Sequence, residues 1–213
     1  MDIPNFPNDP TLHAFRQPWD EGPRKALIKL VESGRLKPGR LLELGSGAAR
    51  NAIYLAKHGF EVTGVDSNPA LVALARKKAM VERVIAKFVV DDLTNLQQIS
   101  GPFDVLMDYS TLDDLNPDER DRYVQNVLPL TRPGSQFVLY CLEWTLTWWE
   151  RLTLRVLSHF GFGQLTLEPG EVMRRFGEHF YIHKVAGETK EHDYPRGYAM
   201  YLMTRKASLN AAD

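Results

Sequence analysis

The segment LLELGSGAARNAIYLAKHGFEVTGVDSNP, residues 41–69, constrains the fold more than any other part of the chain. An apolar run ends in Gly45-Ser46-Gly47, an amphipathic stretch follows, and a second apolar run ends in Asp66. This is the pattern of a strand, a glycine turn, a helix and a second parallel strand. A turn of that kind lets a ligand approach the backbone, and the helix after it offers unpaired N–H groups and a positive dipole end. A carboxylate closing the second strand can accept both hydroxyls of a ribose. The segment therefore points to a nucleoside ligand at the carboxyl ends of the strands.

The rest of the chain extends the same alternation. Strands are predicted at 40–44, 60–65, 86–90, 102–108 and 135–142, with helices at 24–36, 48–58, 69–82 and 117–128 between them. Asn68-Pro69 and Asn116-Pro117 with Glu119 supply helix-start signals. Strands alternating with helices imply a mostly parallel sheet covered on both faces, wound right-handedly into a doubly wound α/β fold. A short helix at 169–176 and two final strands, 180–187 and 197–205, complete the reading. One domain is expected over 1–213: a proline-bearing arm to 23, a core over 24–142, and substrate-side helices and final strands over 143–205.

Composition removes several function classes. Net charge is −1, which argues against the basic footprint of a nucleic-acid binder. Cys141 is the only cysteine, so no internal disulfide forms, and its apolar strand marks it as a packed small residue. The six histidines combine with the one cysteine in no zinc-type His/Cys pattern, and no metal site is expected. No run is long and apolar enough for a transmembrane helix, and MDIPNFPNDP carries no leader pattern; a cytoplasmic protein is expected.

The nucleoside can be narrowed. A dinucleotide fingerprint wants a third glycine where this chain has Arg50, in G-S-G-A-A-R. With Glu43 ahead of the turn, E-L-G-S-G is instead the pattern that S-adenosylmethionine (SAM) enzymes show. On these residues the chain resembles the class I SAM-dependent methyltransferases over about 18–205. PWDEGP (18–23), FDVLMDYSTLDDLNPDERDRYV (103–124) and PGEVMRRFGEHF (169–180) further resemble the thiopurine and tellurite-resistance methyltransferase group. The resemblance implies a Rossmann-like, seven-stranded sheet with the last strand antiparallel. It implies SAM as cofactor, S-adenosylhomocysteine as product and a small-molecule acceptor.

It also implies roles. Gly45, Ser46 and Gly47 would pass the methionine and ribose portion, with Glu43 below it. Asp66, with Ser67 beside it, would hold the ribose diol. Asp92 would take the adenine amino group with Leu93 against the ring, and Asp91 competes for that part. Asp108 would lie where cofactor and acceptor meet, as a catalytic or anchoring group, with Tyr109 donating to the acceptor from the same loop. Trp19 would cover the cofactor. Asp113–Asp114 read as a solvated loop, or as a face for a cationic acceptor. The aromatic stretch 144–162 reads as a helix packed on the sheet, as a wall for a lipophilic acceptor, or as a membrane-surface contact.

With no histidine in the loop after the fourth strand, a sulfur or other soft nucleophile is the first acceptor reading, and an oxygen on a lipophilic molecule the second. The loop reads D-Y-S-T and lacks the N/D-P-P-Y/F tetrapeptide of amino-methylating nucleic-acid enzymes. Competing classes are an NAD-dependent oxidoreductase and a SAM-binding module without turnover. Oligomeric state is not legible.

Overall fold

The computed structural model describes residues 23, 25–143, 149, 166–186 and 197–207. The expected Trp19 lid and the aromatic stretch 144–162, apart from the exposed Trp149, lie outside them. In chain order the elements are α1 (Lys25–Glu32), β1 (Arg40–Leu44), α2 (Arg50–Lys57), β2 (Glu61–Asp66), α3 (Pro69–Val81), β3 (Ala86–Val90), β4 (Phe103–Tyr109), α4 (Pro117–Val127), β5 (Thr131–Leu142), α5 (Glu171–Phe176), β6 (Phe180–Ala186) and β7 (Tyr198–Arg205).

Seven strands form one sheet in the order β3-β2-β1-β4-β5-β7-β6. The pairs β1–β2, β1–β4, β2–β3 and β4–β5 are parallel, while β7 runs antiparallel to both β5 and β6. The expected sheet, with its last strand reversed, is the one observed. The order reverses between β1 and β4, so a crevice opens beyond their carboxyl ends.

Both faces of the sheet are packed, as a parallel sheet requires. Leu41, Val105, Val138 and Tyr140 point to the face covered by α1, α2 and α3, with Leu27, Leu55 and Val72. Leu42, Leu44, Leu106, Leu139 and Cys141 point to the opposite face, against Tyr123, Val127, Val172 and Phe176. The central strands β1 and β4 are buried continuously over Leu41–Leu44 and Val105–Asp108.

The helix-start signals hold. The Asn68 side chain accepts from the Ala70 and Leu71 N–H groups, and Asn116 and Glu119 form a reciprocal capping box. Gly170 precedes α5 in a left-handed conformation. A short 3-10 turn at Leu112–Asp114, which nothing in the sequence pattern announced, follows β4. Strand β5 begins at Thr131, four residues before the expected 135, because Thr131 pairs with Phe103 across a register shift.

Candidate functional site

A cavity of about 290 Å3 lies at the carboxyl ends of the central strands, lined by Gly45, Asp66, Ser67, Asp92, Leu93, Tyr109, Ser110, Thr111, Asp114 and Leu115. Its wall has two halves. One comes from the ends of β1, β2 and β3, the other from the end of β4 and the loop after it.

The first half is built from short turns. Gly45 has φ +69°, and a Cβ there would stand 2.0 Å from Thr111 Oγ1. Only glycine allows the loop from β4 to come this close. Gly47 needs its freedom for conformation alone, with φ +49° and nothing within 4 Å of an added Cβ. Ser46 N–H donates to Val65 O at 2.9 Å, tying the turn to β2. Asp66 ties it again: one carboxylate oxygen accepts from Gly47 N–H and the other from Asn68 N–H, both at 2.8 Å. A carboxylate offers about four acceptor positions, so Asp66 keeps capacity for a ligand's hydroxyls.

Asp91 and Asp92 separate cleanly. Asp91 is buried and accepts from the Asp92, Gln97 and Gln98 N–H groups at 3.0, 3.0 and 2.7 Å. It folds the loop after β3. Asp92 stands on the cavity wall, where one oxygen accepts from Thr94 N–H and Oγ1 at 2.8 and 2.9 Å. Leu93 is beside it on the wall and is buried.

Glu43 and Ser46 lie beneath the turn, off the wall. Glu43 is 2% exposed; its Oε1 accepts from Asn51 Nδ2 at 3.1 Å, while Oε2 and the Ser46 Oγ are buried with no partner. Burial pushes the Glu43 carboxyl up to about 8, against the smaller opposing pulls of Asn51, the Ala52 N–H and Arg50. Buried polar atoms without partners are uncommon enough to mark a place where something else belongs.

The second half is built from buried charge. Asp108 is not among the residues that line the described cavity. It is 0% exposed, and its carboxylate accepts from Thr111 N–H at 2.8 Å, Leu112 N–H at 3.2 Å and Tyr123 OH at 2.6 Å. Its oxygens face inward and hold the loop. Burial pushes it up to about 7, and pushes the Tyr123 hydroxyl up as well.

The acidic pair Asp113–Asp114 is likewise not one solvated loop. Asp113 is buried, and its Oδ2 accepts from Ser110 Oγ at 2.8 Å and Leu142 N–H at 3.0 Å. Asp114 is exposed and on the wall. The Arg120 guanidinium clamps the turn from below, donating to Leu112 O, Asp113 O and Thr166 O and to the Glu171 carboxylate.

Tyr109 reaches the wall as expected. Its ring stacks on Tyr140 at 4.5 Å between centroids, and the Arg50 guanidinium lies over it at 5.7 Å. Cys141 is fully buried with its thiol pushed up by desolvation, in keeping with a packed residue. Thr111 and Leu115 were not singled out for the cavity, and Asp114 was named only in the alternative reading of a face for a cationic acceptor. The topological rule that ligands sit outside the carboxyl ends at a switch point would have flagged the whole loop. Nothing in the sequence signals Tyr123 or Arg120.

Three carboxylates (Asp66, Asp92 and Asp114) and no Lys, Arg or His stand on the described wall. Such a wall attracts cations and disfavours phosphate groups. It fits a ligand with a sulfonium, an ammonium, a ribose diol and an exocyclic amine, and fits the pyrophosphate of a dinucleotide poorly.

Comparison with known proteins gives a consistent picture. A family model described as "Methyltransferase domain" matches residues 41–134. The 2-heptyl-1-hydroxyquinolin-4(1H)-one methyltransferase of Mycobacteroides abscessus is 31% identical over 137 residues, 63% of this chain and 60% of the relative. The tRNA (uracil(54)-C(5))-methyltransferase of Pyrococcus horikoshii is 47% identical over 64 residues, 30% of this chain and 16% of that protein. The chain thus spans less than two thirds of the length of either relative. The solved structure of magnesium protoporphyrin IX methyltransferase from Synechocystis PCC 6803, with bound SAH, superposes with a TM-score of 0.64 at 20% identity, over 84% of this chain and 80% of the other. The fold is the Rossmann-like class I methyltransferase fold. The matches support a SAM-dependent enzyme.

Proposed function

We propose that this chain is a SAM-dependent methyltransferase that transfers a methyl group to a small-molecule acceptor. The observation that carries the reading is the cavity wall beside the glycine turn, whose charged side chains among the described residues, Asp66, Asp92 and Asp114, are all acidic. The same observation weighs against the NAD-dependent oxidoreductase.

When bound, SAM supplies an activated methyl group on a positively charged sulfur. Everything else falls to the chain's own residues. Asp66 accepts the ribose hydroxyls while keeping its two backbone N–H partners. Asp92 accepts the adenine amine, with Leu93 as the apolar surface beside it. Asp91 is the weaker candidate, its carboxylate being filled by three backbone donors. The turn Gly45-Ser46-Gly47 lets the ligand approach the backbone, and Glu43 beneath it favours positive charge whenever it is ionised. Tyr109, fixed by its stack on Tyr140, orients the acceptor end. Holding reactants in line can contribute about 7–11 kcal/mol in favourable cases.

Two acceptor readings compete. Sulfur or another soft nucleophile follows from the resemblance to the thiopurine and tellurite-resistance group. An oxygen on a lipophilic ring is favoured by the Mycobacteroides abscessus relative, whose name specifies a hydroxyquinolone. A nucleic-acid acceptor is set below both. The match to the tRNA enzyme covers 64 residues, 16% of that protein, and the acidic side chains of the wall repel phosphate. One domain, with a cytoplasmic setting, belongs to the same reading; no described helix is long and apolar enough to cross a membrane.

Calorimetric titration with SAM, S-adenosylhomocysteine and NAD tests it. Micromolar binding of both adenosyl ligands and none of NAD is expected. NAD binding without adenosyl binding would put the oxidoreductase first. Adenosyl binding with no transfer to any hydroxyl, thiol or amine in a broad acceptor panel would favour a binding module.

A further inference from the structure

The three wall carboxylates are not equivalent. Asp66 and Asp92 spend acceptor capacity on backbone and side-chain donors of their own turns. Asp114 accepts no hydrogen bond from the described residues, and its carboxylate stands on the β4-loop half of the cavity.

The turn that carries it is nevertheless the most heavily anchored stretch of the wall. Asp108 holds the Thr111 and Leu112 N–H groups. Asp113 holds Ser110 Oγ and Leu142 N–H. Arg120 holds the Leu112 and Asp113 carbonyls and is itself held by Glu171 at 3.1 Å. Ser110, at the start of the loop, sits at φ +63°, a conformation that costs about 1–2 kcal/mol for a residue with a Cβ. Four buried charged residues and a strained backbone are thus arranged around a free carboxylate. Rigid support under one unspent functional group is what a preorganised reacting group requires.

We infer that Asp114 is the general base, accepting the proton of a neutral hydroxyl- or thiol-bearing acceptor bound in the β4-loop half of the cavity. The inference rests on the methyltransferase reading and deepens it. As the acceptor's O–H or S–H bond breaks, the proton passes to an Asp114 oxygen. The electron pair left on the acceptor forms the bond to the methyl carbon, and the methyl–sulfur bond breaks with its pair staying on sulfur. The products are the methylated acceptor, neutral S-adenosylhomocysteine and protonated Asp114, which returns its proton to solvent because the residue is exposed.

The neighbours suit the task. Desolvation and the adjacent Asp113 push Asp114 up to about 6, with Arg120 opposing. Asp66 and Asp92 line the same cavity, and Tyr109 stands on the half that carries Asp114. A base poised near neutrality is a better proton acceptor than an ordinary carboxylate.

The experiment compares wild type with D114N and D114E, in three measurements. Calorimetry with S-adenosylhomocysteine comes first and establishes the adenosyl affinity of wild type and of both variants. Absence of binding to wild type would sink the methyltransferase reading itself, separately from this inference. Second, 4-nitrophenol is added to the S-adenosylhomocysteine complex. A phenolate absorbance band should grow on binding to wild type and be absent in D114N. Third, turnover is followed against pH with neutral phenols and thiols and with an acceptor that carries no proton, such as iodide.

For protic acceptors, D114N should lower kcat by about 10²–10⁴-fold with KM little changed, and should erase the acid limb near pH 6. D114E should recover part of the rate. The proton-free anion should lose nothing in D114N, because removing a like charge removes repulsion. An equal loss for both kinds of acceptor would overturn the inference, as would an acid limb that survives in D114N or an unchanged phenolate band. Those outcomes would leave Asp114 as wall charge only.

Discussion

Asp66 and Asp92, on one half of the cavity wall, hold their own turns through contacts no more than two residues away in sequence or to the neighbouring strand's turn. Asp114, on the other half, sits on a turn whose side-chain support comes from other residues: Asp113 within the turn, Asp108 from β4, Arg120 from α4, and behind them Tyr123 from α4 and Glu171 from α5. The first half is local turn chemistry closed by carboxylates that solvent still reaches. The second is a buried ionic network whose bonded partners lie up to fifty-one residues apart. The difference assigns different vulnerabilities: ligand affinity should reside in the first half, and the integrity of the loop in the second.

Arg120→Met tests that division most severely. It leaves Glu171 with Arg175 as its one remaining guanidinium partner and the Leu112 and Asp113 carbonyls without their donor. Breaking a buried ion pair from one side costs about 3–5 kcal/mol, read as a lower urea midpoint at unchanged slope. A loss under 1 kcal/mol would mean that water replaces the guanidinium and that the network is not what holds the loop.

Gly45→Ala attacks the seam between the halves. Its Cβ would clash with Thr111 in a left-handed backbone, and a loss of about 3 kcal/mol is expected together with weaker adenosyl binding. Stability lost with affinity intact would show that the close approach serves the fold alone.

Asp66→Ala should do the reverse of Arg120→Met. Adenosyl affinity should fall by roughly 10–100-fold, in line with about 1.5–3 kcal/mol for hydrogen bonds to a charged group, while global stability falls by less. Equal affinity in calorimetry would remove Asp66 from the ligand's contacts.

The pH dependence of stability sharpens the picture of buried charge. Asp108 and Glu43, at about 7 and about 8 in the folded protein, hold protons that the unfolded chain has released above its ordinary carboxylate range near 4. Stability is therefore greatest below about pH 4 on their account and falls as pH rises through 7 and 8. Each group contributes a slope of at most about 1.4 kcal/mol per pH unit. Asp108→Asn should flatten the part below about 7, and Glu43→Gln the part extending to about 8. Denaturant titrations at several pH values measure it.

The smallest effect lies away from the site. Arg83 is exposed at φ +55°, so Arg83→Gly should raise stability by up to about 1 kcal/mol and leave adenosyl affinity unchanged.

How much was legible follows the same division. Gly45, Asp66, Asp92 and Leu93 reach the cavity because their placement depends on strand ends and turns, which residue type and spacing specify locally. Asp91 and Asp92 could not be told apart beforehand. Adjacent residues on a loop point in opposite directions, and only the later N–H groups of Gln97 and Gln98 decide which turns inward. Asp108 was expected at the reacting centre because it ends β4. A strand-end carboxylate may face either side of the sheet, and Tyr123 draws this one down. Asp113 and Asp114 look identical in sequence, yet one is buried beneath the turn and the other faces the cavity.

The sequence by itself determined the doubly wound sheet, the capped helices, the glycine turn and the acid that closes the second strand. Period, punctuation and capping act over a few residues, where the chain's own geometry leaves little choice. The tertiary structure alone decided which carboxylates are buried, which are spent and which stays free. Those outcomes depend on desolvation and on partners dozens of residues away, such as Arg120 with Glu171 and Asp113 with Leu142, which meet only once the sheet has formed.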